Sequence, residues 1–267
     1  MISGGSRVFV VLGNPVSHSL SPAMQNAAFR ALGLSAVYVP LSCSASDLPA
    51  LIGGIARAGG GGNVTVPHKE AAARAVDDCR ELAVAADACN TFWSQDGRIV
   101  GDNTDVPGLL EALHQLQVGK APWFIAGSGG SARAAVMAAG HHGVQVAVRS
   151  RDAGRQREFE SWVSSRGVSL ARPEECGVLI NCTPLGLKQT DPLPIQPDGF
   201  TRAQVALDMV YAPGETAWIR AMKSRVRRSA DGRGMLVAQG AAAFERWFPG
   251  KRAPVEVMRA AVNAVLR

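Results

Sequence analysis

"PWFIAGSGGSARAAVMAAG", residues 122–140, decides the fold. Trp123–Ala126 is a short apolar run of the kind that forms a buried strand. Gly127, Ser128, Gly129 and Gly130 break it, and a run of small residues with helical tendency follows from Ser131. The spacing is G-x-G-x-x-A, with Ala132 in the third small position. Glycines there let the backbone approach a pyrophosphate closely, while the N–H groups and dipole of the next helix face the anion. An ordinary tight βα turn is the alternative. The strand before and the helix after favour the dinucleotide reading.

Outward from this turn, strand-like and helix-like segments alternate almost throughout, which predicts α/β architecture with mainly parallel sheets. Downstream come the strand "VQVAVRS", the helix "RQREFESWVSSRG", the strands "VLINCT" and "VALDMV", and three closing helices. Upstream come "RVFVVLG" as a strand, "SPAMQNAAFRALG" as a helix with Ser21 as N-cap, "AVYVPL" as a strand and "SDLPALIGGIARAG" as a helix. "GGGG" at 59–62 reads as a turn before the strand "NVTV", and "CNTFWSQDGRIVGDNTD" as a hairpin about Asp96-Gly97. A second α/β unit thus begins near residue 105. The expected division is a domain of residues 1–104 plus 233–267 and a Rossmann-type dinucleotide-binding domain of residues 105–232, with the C-terminal helices returning to the first.

The strand after the glycine turn ends in Val148, Arg149, Ser150 and Arg151. An NAD site places an acid at this point for the ribose hydroxyls. A guanidinium and a hydroxyl suit a 2′-phosphate instead, and Asp152 lies too far along. The expected cofactor is NADP.

In "GGNVTVPHKE", residues 61–70, Pro67 stops a β-run and can open a helix, which puts Lys69 in a first turn. The macrodipole disfavours a cation there. Either Lys69 points into solvent at a cost of a few tenths of a kcal/mol, or it belongs to a working site, where local rules are commonly broken.

Composition bounds the function. The chain has 267 residues, 47% hydrophobic and 19% charged, which is ordinary for a globular protein. Its net charge of +6 could draw in an anionic ligand, but the densest basic stretch, "RAMKSRVRRSADGR", lacks interleaved aromatics and reads as the polar face and end of a helix, so no nucleic-acid role is expected. No apolar run is long enough to span a membrane. Five cysteines at scattered positions, with no CxxC pair, point to free thiols and a cytoplasmic setting. The five histidines show no metal-ligand spacing, and no metal is expected.

"NPVSHSLSP", "GGNVTVPHKE", "ACNT", "GDNTD", "GSGGSAR", "NCTPLG", "DMVY" and "GRGMLVAQG", in that order, resemble the shikimate dehydrogenase family from about residue 8 to residue 260. The resemblance implies NADP-dependent reduction of 3-dehydroshikimate to shikimate, in aromatic amino-acid biosynthesis. It implies Lys69 and Asp105 as the catalytic pair. For the substrate it implies Ser19, Ser21 and Thr65 at the carboxylate, Asn90, Asp105 and Gln239 at the ring hydroxyls, with Asn63 and Tyr211 nearby. For the cofactor it implies Gly127, Ser128, Gly129, Gly130, Ser131, Arg149, Ser150, Arg151, Met209 and Gly232. Two positions depart from the family pattern: Val148 stands where an Asn is frequent, and Cys89 replaces a small apolar residue beside Asn90.

Each of these residues has a plainer reading too. Ser21 is accounted for as a helix cap and Asp or Thr of "DNTD" as capping residues. Asn63 could fix a turn, and Gln239 could be a neutral helix position. Together they supply donors for a carboxylate, partners for ring hydroxyls and one cation for a ketone oxygen. A quinate/shikimate dehydrogenase using NAD, and a non-catalytic NADP-sensing module, remain as alternatives. A small-molecule substrate is the expected partner, and a homodimer is left open.

Overall fold

The computed structural model describes residues 2–188 and 190–266. It divides into two compact units. The first runs to Gly108 and takes in Leu236–Val265; the second is built on Leu109–Met235. The divisions fall a few residues beyond those expected, inside two helices, so Asp105 belongs to the first unit and not to the dinucleotide-binding one.

In the first unit the chain runs β1 (Arg7–Gly13), α1 (Ser21–Ala31), β2 (Ala36–Ser42), α2 (Leu48–Arg57), β3 (Gly61–Val64), α3 (Lys69–Ala75), β4 (Asp78–Cys79), α4 (Glu81–Ala86), β5 (Thr91–Gln95), β6 (Arg98–Asp102) and α5 (Asp105–Gln115). The sheet order is β2-β1-β3-β5-β6-β4. β1 is parallel to β2 and β3, whereas β5 is antiparallel to β3 and β6. Period-two alternation buries β1 on both faces. Val10 and Leu12 join Leu48, Ile52, Val64 and Phe92 in one layer. Phe9 meets Phe29, Trp247 and Phe248 on the other, with ring centroids 5.0–5.3 Å apart.

Several local expectations change. β3 starts at Gly61, so two of the four glycines lie in a strand. A Cβ at Gly62 would stand 2.5 Å from Val10 O, and one at Gly61 2.6 Å from Phe92 O, so the neighbouring strands leave room only for glycine. Pro67 follows a cis peptide bond and sits in the turn closed by His68 N–H and Thr65 O, 2.9 Å apart; α3 opens at Lys69. The Asp96-Gly97 hairpin is as read: both residues have positive φ, 51° and 77°, as a type I′ turn requires.

The second unit contains β7 (Trp123–Ala126), α6 (Gly130–His142), β8 (Val146–Arg149), α7 (Ala153–Ser165), β9 (Val178–Asn181), β10 (Val205–Asp208), α8 (Ala217–Met222) and β11 (Arg228–Ala230), in the order β11-β10-β9-β7-β8. All its strand pairs are parallel. The basic stretch is not one helix end: α8 stops at Met222 and Arg228–Ala230 forms the edge strand β11. α9 (Arg233–Trp247) and α10 (Val255–Val265) close the chain. No helix among the described residues is long and apolar enough to cross a membrane.

Candidate active site

In the first unit the strand order reverses beside β1, with β2 on one side and β3 on the other. Open α/β sheets bind ligands at such switch points, beyond the carboxyl ends of the strands. Because β5 runs antiparallel, its amino end reaches the same edge, and Asn63 pairs with Thr91 and Thr91 with Asp102. The topology thus gathers the segments after β1, β3 and β6 and before β5. These carry Ser19, Thr65, Lys69, Asn90 and Asp105.

Lys69 and Asp105 form an ion pair, Nζ to Oδ2 at 2.6 Å, with 11% and 6% of their side chains exposed. Asp105 Oδ1 accepts from Asn90 Nδ2 at 2.9 Å. Asp105 does not cap α5. That role falls to Asn103, whose Oδ1 accepts from the N–H groups of Asp105 and Val106 at 3.1 and 3.3 Å. Asn90 Oδ1 takes the Thr104 N–H at 2.7 Å. Both Asp105 oxygens are therefore left for the pair and for Asn90, and the solvent-exposed reading of Lys69 is excluded.

Asn63 is buried and does not merely fix a turn. Its Nδ2 donates to Asn90 O at 3.1 Å and to Thr91 Oγ1 at 3.0 Å, and its Oδ1 accepts from Tyr38 OH at 2.8 Å. Burial holds the Tyr38 phenol well above the ordinary value of 10. Thr91 Oγ1 donates to Asn90 Oδ1 at 3.1 Å. One chain of buried hydrogen bonds thus runs Tyr38–Asn63–Thr91–Asn90–Asp105–Lys69.

The helix-cap reading of Ser21 does not hold. Ser21 is the first residue of α1 and makes no side-chain cap. Ser19 Oγ instead accepts the Ser21 N–H at 3.3 Å. Thr65 lies against the turn after β1: a Cβ at Gly13 would stand 2.4 Å from its Cγ2. Gln239, buried on α9, packs on the first turns of α5, where a Cβ at Gly108 would stand 2.7 Å from Gln239 Cβ and 2.8 Å from its N. Tyr211 belongs to the second unit, after β10.

Tyr38, Thr91 and Asn103 join this network without having been singled out from the sequence, and Thr104, read there as a capping residue, joins it through Thr91 and Asn90. Tyr38 lies in an apolar strand and reads as core; only a polar atom on a wholly buried ring could have marked it. Asp102 is a further case. It is 2% exposed, accepts from Arg246 Nε at 2.8 Å, and takes the Asn103 N–H at 2.7 Å.

The second unit has its own switch point, between β7 and β9. Gly127 stands there with φ 118°, and a Cβ would lie 3.0 Å from Cys182 O. Gly129 faces open space and precedes α6, whose first residues are Gly130 and Ser131. An anion can therefore meet bare backbone at a helix N-terminus. Arg149 is exposed at the end of β8, its guanidinium 5.4 Å from the Phe124 ring centroid. Ser150 Oγ lies 3.2 Å from Ser128 Oγ, and Arg151 is exposed. Val148 is buried within the strand. Asp152 caps α7, its Oδ1 accepting the Arg155 N–H at 2.8 Å. Met209 and Gly232 are adjacent: the Gly232 N–H donates to Val210 O at 3.0 Å, and Met209 O lies beside the Gly232 backbone. These donors fit a dinucleotide carrying a 2′-phosphate. Among the described residues no His, Cys, Asp and Glu cluster could hold a metal.

Residues 11–92 match the family model for the shikimate dehydrogenase substrate binding domain, and residues 232–262 that for the shikimate 5'-dehydrogenase C-terminal domain. The chain is similar to the NADP(+) shikimate dehydrogenase of Symbiobacterium thermophilum, 39% identical over 98% of this chain and 96% of that one. Its structure is similar to that of a shikimate dehydrogenase in complex with NADP+ (TM-score 0.90, 30% identity, 100% and 98% coverage). It is also similar to the Thermus thermophilus enzyme in complex with NADP(H) and shikimate (TM-score 0.87, 34% identity, 97% and 99% coverage). The chain belongs to the shikimate dehydrogenase family.

Proposed function

We propose that this protein is an NADP-dependent shikimate dehydrogenase, reducing 3-dehydroshikimate to shikimate reversibly. The observation that carries the reading is the buried Lys69–Asp105 pair, held by Asn90 at the switch point of a chain of this family.

Bound at the glycine turn, NADPH supplies the hydride for the ketone carbon. As that carbon is reduced, its oxygen gains negative charge. Lys69 donates a proton, or a charge-assisted hydrogen bond, to this oxygen. Asp105 orients the ammonium and accepts from a neighbouring ring hydroxyl. Asn90 and Gln239 bind the remaining hydroxyls, and Asn63 sets the position of Asn90. Ser19, Ser21 and Thr65 supply hydroxyls for the carboxylate. Arg149, Ser150 and Arg151 take the 2′-phosphate; Ser128, Gly129, Gly130 and Ser131 take the pyrophosphate; Met209 and Gly232 complete the cofactor contacts. Five free thiols support a cytoplasmic setting for this chemistry.

The test is steady-state kinetics with shikimate and quinate against NADP and NAD. The expected result is highest kcat/KM for shikimate with NADP. Preference for quinate with NAD would move the protein to the quinate/shikimate branch, and absence of turnover with every pair would leave it a cofactor-binding module.

A further inference from the structure

β8 is the edge strand of its sheet, so half of its backbone groups face away from β7. Val146 on that outer side is matched by the segment around Leu170, its N–H donating to Ser169 O and its carbonyl accepting from the Ala171 N–H. Two residues on, that cover is replaced by one side chain from α7. Gln156 Nε2 donates to the Val148 carbonyl at 2.7 Å, and Gln156 Oε1 accepts the Ser150 N–H at 2.5 Å. These two groups belong to the residues on either side of Arg149. A single planar amide therefore clamps both peptides that flank the arginine.

The amide is itself oriented. Its nitrogen also donates to Glu160 Oε1 at 2.5 Å, one helical turn further along. Flipped over, it would set its NH2 against the Ser150 N–H and its oxygen against a carboxylate and a carbonyl. Gln156 and Glu160 are half-buried and line, with Arg149, Ser150 and Arg151, a cavity of 440 Å³.

We propose that Gln156 is a positioning residue for cofactor selectivity, holding the corner that presents Arg149 to a 2′-phosphate. The inference rests on the assignment of the β8 end to that phosphate. NADP and NAD differ only there, so a residue acting through this corner affects one cofactor and spares the other. A residue serving only the stability of the unit affects both alike.

The experiment compares KM for NADP and for NAD in the wild type, Gln156→Ala, Gln156→Glu, Arg149→Ala and the double variant Gln156→Ala/Arg149→Ala. With both hydrogen bonds to the corner lost, Gln156→Ala is expected to raise the NADP KM roughly five- to tenfold and the NAD KM less than twofold. Gln156→Glu keeps the acceptor for Ser150 but sets its second oxygen against the Val148 carbonyl and Glu160, so it should raise the NADP KM at least as far as the alanine variant, with the NAD KM again changed less than twofold; it also serves if the alanine variant folds poorly. The double variant should be no worse with NADP than Arg149→Ala, because Gln156 acts through the arginine. Equal shifts for both cofactors, or additive losses in the double variant, would overturn the proposal. An Arg149→Ala enzyme with unchanged NADP KM would instead overturn the phosphate assignment beneath it.

Discussion

Lys69 and Asp105 each stand at the first residue of a helix, α3 and α5, and their side chains meet at 2.6 Å out of solvent. The helix start that disfavours a cation suits an anion. The carboxylate, drawn to one helix end, compensates the ammonium at the other. Removing one partner of such a buried pair leaves a charge uncompensated, at a cost of about 3–5 kcal/mol where nothing relaxes. Lys69→Ala should lower kcat by about 10²–10⁴-fold, the range for a lost general acid, while KM for shikimate changes little. Asp105→Asn should also lower kcat. In the double variant both the kinetic and the stability losses should fall well short of the sum. Near-wild-type turnover of Lys69→Ala would remove it from the mechanism.

Ser21 gives a prediction that the sequence alone would have placed differently. As an N-cap, its loss would cost about 1 kcal/mol of helix stability. In the structure its hydroxyl makes no cap, and the Ser21 N–H is served by Ser19. Ser19→Ala and Ser21→Ala should both raise KM for shikimate, through loss of about 1.5–3 kcal/mol of hydrogen bonding to a charged carboxylate. Tyr38→Phe, which touches no proposed ligand directly, should raise KM by a smaller factor because Asn63 Oδ1 loses its donor. Unchanged KM in all three, measured on variants with intact thermal melts, would place the carboxylate elsewhere.

The architecture was legible where one physical signal dominated. The glycine turn after an apolar strand, the Asp96-Gly97 hairpin and the apolar alternation of β1 each follow from local chemistry. What escaped depends on neighbours distant in sequence. Gly61 and Gly62 read as turn residues because the strands crowding them lie some 30 to 50 positions away in the chain. β4 and β11, two and three residues long, are too short for any periodicity to show. Arg228–Ala230 looked like the end of a basic helix because its pairing with Val205–Leu207 leaves no mark in composition. In the site, Lys69 announced itself by breaking a local rule, whereas Tyr38, Thr91 and Asn103 break none.

Gly108 tests whether Gln239 needs its place against α5. A methyl group there would meet backbone atoms of Gln239 at 2.8–3.0 Å, which a side-chain rotation cannot relieve. Gly108→Ala should cost about 1–3 kcal/mol through overpacking. KM for shikimate should rise along with the fall in melting temperature. A variant with wild-type KM and a lowered melt would detach Gln239 from substrate binding.

Cys89 and Cys176 are held by burial at about 12, against an ordinary value near 9. A thiol raised in this way is thiolate at roughly one part in a thousand at pH 9, and the thiolate is the nucleophile. Both should resist iodoacetamide from pH 7 to 9 in the folded protein and react once it is unfolded. Peptide mapping after timed alkylation reads this directly, and rapid labelling of Cys89 in native protein would contradict its enclosure in the core of the first unit.

Cofactor preference turns on the end of β8. The strand ends in Arg149 and Ser150 with no acid, and the first acid beyond it, Asp152, caps α7 through its Oδ1 and the Arg155 N–H. Arg149 is exposed beside Ser150, so a 2′-phosphate gains a cation and a hydroxyl while a ribose diol gains neither acceptor it prefers. Arg149→Ala should weaken NADP by about 1.5–3 kcal/mol, the range for a hydrogen bond to a charged group, and leave NAD nearly unchanged. Salt supplies an independent reading. At about 1 M ionic strength the screening length falls to roughly 3 Å, so an exposed arginine–phosphate pair weakens while backbone contacts to the pyrophosphate lose less. The ratio of kcat/KM for NADP to that for NAD should therefore narrow as salt rises in the wild type and narrow less in Arg149→Ala, where Arg151 remains. A wild-type ratio near one at low salt, or a slope undiminished in the variant, would mean that the preference is set by other residues than Arg149.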